Sequence, residues 1–322
     1  MNTTNTKTSK TPNDFGRFDF VSQVGLTGGF SAVLVVISLV YLMISGIRYG
    51  IDFKGGTEIQ VKFQEKVAID EMRASMEKLS LGDFGVQGFG DTSEFIIRFQ
   101  TQEKGTEKET NALLLEKIAK IKSAISTDYA DKKPEIVRED TVGPQVGAEL
   151  KRNGFLAVFY ALLVILIYVS MRFDYKYAPG AVICLFHDAV VTLAIFNLVG
   201  KEVNVPVLAA ILTLLGYSLN DTIVVFDRIR ETEHEYKDRG SRYIINKAIN
   251  EMLGRTFKTS GTVLISAASL WAFAGGTVGD IAFAITVGIV FGTYSSIYIA
   301  APLILMMENI NLIPKPVATK TA

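Results

Sequence analysis

The chain of 322 residues has one cysteine, two histidines, one tryptophan and eight prolines, and its 33 Lys+Arg are matched by 33 Asp+Glu. A lone Cys184 excludes an intrachain disulfide, and it reads as a small packing residue. With only His187 and His234 beside it, no Cys/His spacing of a zinc site is present, so no metal is expected. Zero net charge removes the basic surface of a nucleic-acid domain, and no nucleic-acid partner is expected. Charge is scarce in six places: residues 21–47, 154–171, 178–200, 203–226, 259–279 and 281–307. Each is near the roughly 20 apolar residues that cross a bilayer as a helix. A soluble protein of this size has too little polar surface to cover six such runs. With a mean hydropathy of +0.29, the chain reads as a polytopic α-helical membrane protein with six transmembrane helices. The first run follows about 20 polar residues, exceeds the 7–15-residue apolar core of a secretory signal and lacks a cleavage site before Arg48, so it is expected to stay as a span.

The expected organisation is an N-terminal tail over 1–20, a first span over 21–47, one polar domain over 48–153, five further spans within 154–307 and a tail over 308–322. The polar segment carries 17 Lys/Arg and 19 Asp/Glu, enough chain for one small domain. Residues 172–177 and 227–258 together hold ten Lys/Arg, whereas the short connections on the other side hold only Lys201. The ten-charge side, including a loop at about 227–258, is therefore assigned to the cytoplasm, with both termini there and the large domain extracytoplasmic. Inside that domain the apolar period alternates between 2 and 3.6. Strands are predicted over 57–63, 84–89, 94–99 and 134–142, with a Gly90-Asp91 turn, and helices over 67–79 and 106–125. The strand at 57–63 puts Ile59, Val61 and Phe63 on one face. The helices put Ile69, Met72, Met76 and Leu79, then Leu113, Leu114, Ile118, Ile121 and Ile125, on theirs. That β-α-β-β-α-β order is a small α+β, ferredoxin-like plan.

Ionisable groups inside apolar spans are costly and therefore mark function. Asp221, flanked by Ser218, Asn220 and Thr222, lies about 18 residues into the fourth span, toward its cytoplasmic half. Arg255, Thr259, Thr262, Ser266 and Ser269 share one face of the fifth. An Asp221–Arg255 ion pair across two antiparallel helices fits this spacing, and a polar face turned to a partner helix can carry protons. Asp188, beside His187 in the third span, is a second candidate, with Thr192 or Tyr217 as bonding neighbours in a purely static role. An intramembrane aspartyl protease would pair Asp188 with Asp221, but neither sits in the Gly-x-Gly-Asp or Tyr-Asp setting of such enzymes. No catalytic residue and no enzymatic activity are expected. Gly288 and Gly292 read as a close helix-packing face. The paired glycines of residues 50–57 lack the order of a phosphate-binding loop and read as a structured turn.

Ordered along the chain, several segments carry a resemblance. They are Gly50-Ile51-Asp52-Phe53-Lys54-Gly55-Gly56-Thr57, Val142-Gly143-Pro144, Arg172-Phe173, the run GYSLNDTIVVFDRIRE at 216–231, Arg255-Thr256 and Thr259-Ser260-Gly261-Thr262. Together they closely resemble the SecF family, the smaller membrane subunits of bacterial SecD–SecF protein-export complexes in the resistance-nodulation-division (RND) superfamily. The resemblance implies a plasma-membrane location and a SecD partner that supplies the other half of the assembly. It implies use of the proton-motive force late in preprotein translocation, after the SecYEG channel and the SecA ATPase have threaded the chain, and adds YajC and YidC as further partners. It places the family's membrane carboxylate on Asp221 and its arginine on Arg255. No cofactor is expected; the coupling ion is H⁺, with Na⁺ the alternative. Proton entry at Asp221 would move the helices, and Asp52, Gly55, Gly56, Gly143 and Pro144 would pass that movement to the outer domain. Two other functions fit the same spans: a structural assembly subunit without ion coupling, and an RND-type exporter of small molecules or lipids.

Overall fold

The computed structural model describes residues 15–82, 84–88, 93–100, 107–173 and 176–309. The expected Gly90-Asp91 turn and most of both tails lie outside them. After a short 3₁₀ turn, α1 (Val24–Ser45) is a 22-residue apolar helix about 33 Å long. The elbow α2 (Ile51–Lys54) turns the chain into a four-stranded domain of β1 (Gly56–Lys62), α3 (Ile69–Glu77), β2 (Phe84–Gly88), β3 (Glu94–Phe99), α4 (Glu107–Asp128) and β4 (Glu135–Val142). Helices α5 (Pro144–Arg172), α6 (Ala178–Leu198), α7 (Val205–Glu235), α8 (Ser241–Phe273), α9 (Gly276–Ser295) and α10 (Ala301–Asn309) complete the bundle.

The sheet is antiparallel throughout in the order β2-β3-β1-β4, with Ile59 opposite both Ile97 and Glu139. Strand alternation decides its two faces. Ile59, Val61, Phe95, Ile97 and Phe99 point into a core that Met72 and Met76 of α3 and Ile118, Ile121 and Ile125 of α4 close. Glu58, Gln60 and Arg98 take the other face. The expected apolar faces of both helices are trimmed at their edges. Ile69 is exposed, while Leu79, Leu113 and Leu114 are half-buried.

Five helical stretches are long and apolar enough to cross a membrane: Val21–Ser45, Pro144–Arg172, Ala178–Leu198, Val205–Glu235 and Gly276–Met307. The sixth expected run, 259–279, begins within α8. That helix is 33 residues long and packs on α7 and α9, but its threonines and serines dilute its apolar character. The helix that carries the second apolar run, α5, starts at Pro144, ten residues before that run, because extended Gly143 precedes a proline at the first helical turn, where no donor is needed. The connection at about 227–258 is itself mostly helical, formed by the ends of α7 and α8, as the mixed-charge run at 227–242 suggests.

The last crossing is interrupted by a π-helical turn, Ser296–Ala300. Its cause is two residues downstream. Pro302 has no N–H for the Tyr298 carbonyl, and its ring crowds that carbonyl, so the ladder widens rather than breaks.

Candidate functional site

Two carboxylates are buried in the bundle, and different residues surround them. Asp188 on α6 is fully buried. Its Oδ2 accepts from Ser218 Oγ of α7 at 2.5 Å and Ser295 Oγ of α9 at 2.9 Å, and Oδ1 stands 2.9 Å from His187 Nδ1. The Cys184 thiol donates to Ser295 Oγ at 3.0 Å, which draws that residue into the cluster too. The neighbours expected from sequence are not used. Thr192 Oγ1 is buried without a hydrogen-bond partner, and Tyr217 donates to the Thr259 carbonyl at 3.4 Å. Close approach of α9 makes the cluster possible: a Cβ on Gly292 would stand 3.2 Å from Ser218 Cβ. Gly288 and Gly292 therefore pack against α7 as the packing reading requires.

Asp221, one turn beyond Ser218 on α7, is 5% exposed and accepts from Ser260 Oγ of α8 at 2.7 Å. The expected ion pair with Arg255 is not formed. Arg255 is exposed on α8, near enough for its charge to act on Asp221 but outside ion-pair distance. The reason is the rotation of α8. Its buried face presents Thr256, Ser260 and Ala267, whereas Thr262, Ser266 and Ser269 of the expected polar stripe face outward and Thr259 is half-buried. Thr259, Thr262 and Ser266 donate to carbonyls three or four residues back, at 3.1, 2.8 and 2.9 Å, so they need no neighbour from another helix. Asn220 is exposed on α7 and joins neither carboxylate.

The elbow residues are brought together. Asp52 Oδ2 accepts from Val205 N at 2.8 Å and so caps α7 from outside. Gly55 and Gly56 have φ of +77° and +147°, and a Cβ on Gly56 would stand 2.5 Å from the Phe99 carbonyl oxygen. Gly55 packs against Pro144, and a Cβ on Gly147 would reach within 2.8 Å of Gly55 N. Sequence reasoning had passed over Gly147, although a glycine one turn after Gly143 on a helix start was a readable sign of close approach. The C-terminal end of α1 is fixed by fully buried Asn197, whose Oδ1 accepts from Arg48 N and whose Nδ2 donates to Ser45 Oγ and Gly46 O.

A profile of the "Protein export membrane protein SecD/SecF, C-terminal" family matches residues 121–310, and the "SecD/SecF GG Motif" profile matches residues 40–67, which contain the elbow. The protein translocase subunit SecF of Desulfurispirillum indicum is 44% identical over 277 residues, 85% of this chain and 86% of that one. Its counterpart in Calditerrivibrio nitroreducens is 39% identical over 295 residues, 91% and 94% of the two chains. The crystal structure of SecDF, a translocon-associated membrane protein from Thermus thermophilus, superposes with a TM-score of 0.79 at 30% identity. The match covers 91% of this chain and 39% of that one, so the present chain spans about two-fifths of the SecDF polypeptide. These matches run through the bundle and the elbow alike, and the chain belongs to the SecD/SecF family of protein-export membrane proteins.

Proposed function

We propose that the chain is a SecF-type translocase subunit that uses the proton-motive force to promote late steps of preprotein translocation across the bacterial plasma membrane. Asp221 is the group that takes and releases the ion. The observation that carries this reading is the dressing of Asp221. It is a buried carboxylate held at 2.7 Å by Ser260 Oγ, with Thr259 also beside it, on the helix whose opposite face is uncovered. A carboxylate so placed is costly unless its charge is managed by a proton or a neighbouring cation, and Arg255 supplies such a charge nearby. The ion is H⁺, with Na⁺ its competitor. Asp188 has three polar neighbours, which favours a static role for it within the same bundle.

In this reading α8 is the sixth crossing, both termini are cytoplasmic and the ferredoxin-like domain over 48–153 faces outward. The cytoplasmic ends of α7 and α8 fill 227–258, and tails occupy 1–20 and 308–322. A SecD-type subunit covers the outward face of α8, as expected for a chain matching two-fifths of SecDF. The pair works beside SecYEG and SecA, with YajC and YidC as further associates, on a translocating preprotein in the lipid bilayer. The elbow of Asp52, Gly55, Gly56, Gly143 and Pro144 passes helix movement to the domain.

The test is preprotein release from vesicles holding the chain with its SecD-type partner, with and without an imposed proton gradient. Wild type should respond to the gradient, and Asp221→Asn should lose the response while the complex still assembles. Equal responses would overturn the assignment; a response to a Na⁺ gradient alone would change the ion.

A further inference from the structure

The outer domain touches the bundle at a second place besides the elbow, on the open face of its sheet. Arg98 of β3 donates from Nε to Glu58 Oε2 at 2.6 Å and from an NH1 hydrogen to Gln87 Oε1 at 3.2 Å. The same NH1 stands 3.5 Å from Glu202 Oε2 in the connection between α6 and α7. The guanidinium forms part of the walls of two cavities, of about 300 and 120 Å³, that open along this seam between sheet and bundle. Burial alone would loosen the Arg98 proton, yet the bond and charge of Glu58, with Glu202 and Asp280 behind, hold its pKa above the usual arginine value. The cation is fixed in place as a permanent charge.

Several other charges on the seam have partners of their own. Lys201 pairs with Asp280, Arg138 with Asp140, and Asp52 caps α7. Glu202 pairs with Arg98. It lies three residues before Val205, where the continuous helix that carries Asp221 begins, and Asn204 between them accepts from Val207 N at 2.9 Å to start that helix. A shift or rotation of α7 must therefore move Glu202 relative to the sheet. A 3.5 Å charged contact between half-exposed groups is long and weak. It can open without unfolding either side.

We propose that Arg98 is a positioning residue, and that its pair with Glu202 is the contact through which the sheet follows the outer end of α7. The proposal rests on the ion-coupled reading of Asp221. It adds a second line of transmission to the elbow: the elbow is a covalent pivot, whereas this contact sets the tilt of the domain about it.

The experiment uses the full chain with its SecD-type partner in vesicles, spin-labelled at Lys62→Cys and Val278→Cys, both exposed. The native Cys184 is buried and does not compete for the label. Glu202 is varied rather than Arg98, because Arg98 also holds β1 through Glu58. At rest, wild type should give a narrow distance distribution that shifts when the proton gradient is imposed. Glu202→Arg, which sets two cations against each other, should broaden the resting distribution and reduce gradient-driven release at least threefold. Gradient-independent release should stay unchanged. Glu202→Gln, which can still accept from Arg98, should fall between. A resting distribution unchanged in Glu202→Arg would overturn the contact. A broadened one with wild-type gradient-driven release would overturn its role in transmission. Asp221→Asn is run alongside: if it too keeps the wild-type gradient response, the ion-coupled reading has failed, and the resting distances alone decide whether the contact exists.

Discussion

Asp188 of α6 is bonded by Ser218, one turn before Asp221 on α7, yet the two carboxylates are held in opposite ways. Asp188 is wrapped by His187, Ser218 and Ser295 from three helices and has no exposure. Asp221 is bonded by Ser260 and keeps a small exposure. A fully dressed carboxylate fixes helices against each other; a partly dressed one leaves its charge to be settled by something that comes and goes. Burial alone therefore does not identify a working acid in a bundle.

The comparison is broken most severely by Asp188→Ala. This change leaves Ser218 and Ser295 without their acceptor and removes the partner of His187, so about 3 kcal/mol or more of stability should be lost, as when one member of a buried pair is removed. Thermal unfolding in detergent would measure it, and a loss as small as that of Asp221→Asn would erase the distinction. Gly147→Ala tests the elbow against the cluster. A Cβ 2.8 Å from Gly55 N should cost roughly 1–3 kcal/mol through overpacking, with the domain's own melting unchanged. Ser260→Ala sharpens the contrast from the other side. It removes the hydroxyl donor of Asp221 and should cost only about 0.6 kcal/mol, the typical worth of a hydrogen bond between membrane helices, while changing the gradient response of release.

The smallest effect lies at the start of α8, where the segment before α1 is clasped to it. Asn246 Oδ1 accepts from Phe20 N and Val21 N, its Nδ2 donates to Asp19, and Arg242 pairs with Asp19 at 3.2 Å. Burial raises the Asp19 carboxyl pKa, but bonds from Asn246 and Ser22 and the charge of Arg242 outweigh it, so the folded value is depressed. A depressed carboxylate pKa stabilises above the unfolded value of about 3.9, and that contribution fades as pH falls through the folded one. Protection of the Phe20 and Val21 amides from hydrogen exchange should therefore be flat at neutral pH and drop in acid. Asp19→Asn should abolish the acid step.

Most of the scaffold was legible because hydropathy and period report directly on burial. Five of the six expected runs became helices apolar enough to span, and the strand–helix order of the domain followed from alternation at Ile59, Val61, Ile97 and Met72, Met76. The elbow was legible through Gly55 and Gly56, whose backbone angles other residues rarely adopt. Partner choice was not. Helix α8 carries two polar faces, Arg255-Thr259-Thr262 and Thr256-Ser260, and only packing on α7 selects the second for Asp221. Arg98 and Glu202 sit in segments distant in sequence, each ordinary for an exposed loop or strand, so nothing local announced that they meet.

The π turn before Pro302 bears on how the last crossing is ruled. Gly292, Ser296, Ala300 and Ile304, four residues apart, are all buried. In an uninterrupted α-helix, at about 100° per residue, a row of four-residue steps drifts by about 40° each time and winds off the face on which it began. The wider turn offsets the drift only at the step it spans, from Ser296 to Ala300, and beyond it the helix continues into the apolar packing around Tyr177, Phe226 and Ile245. A single proline thus changes the pitch of one turn: with a residue that restored the missing donor, the same row would drift further around the helix before it reached Ile304.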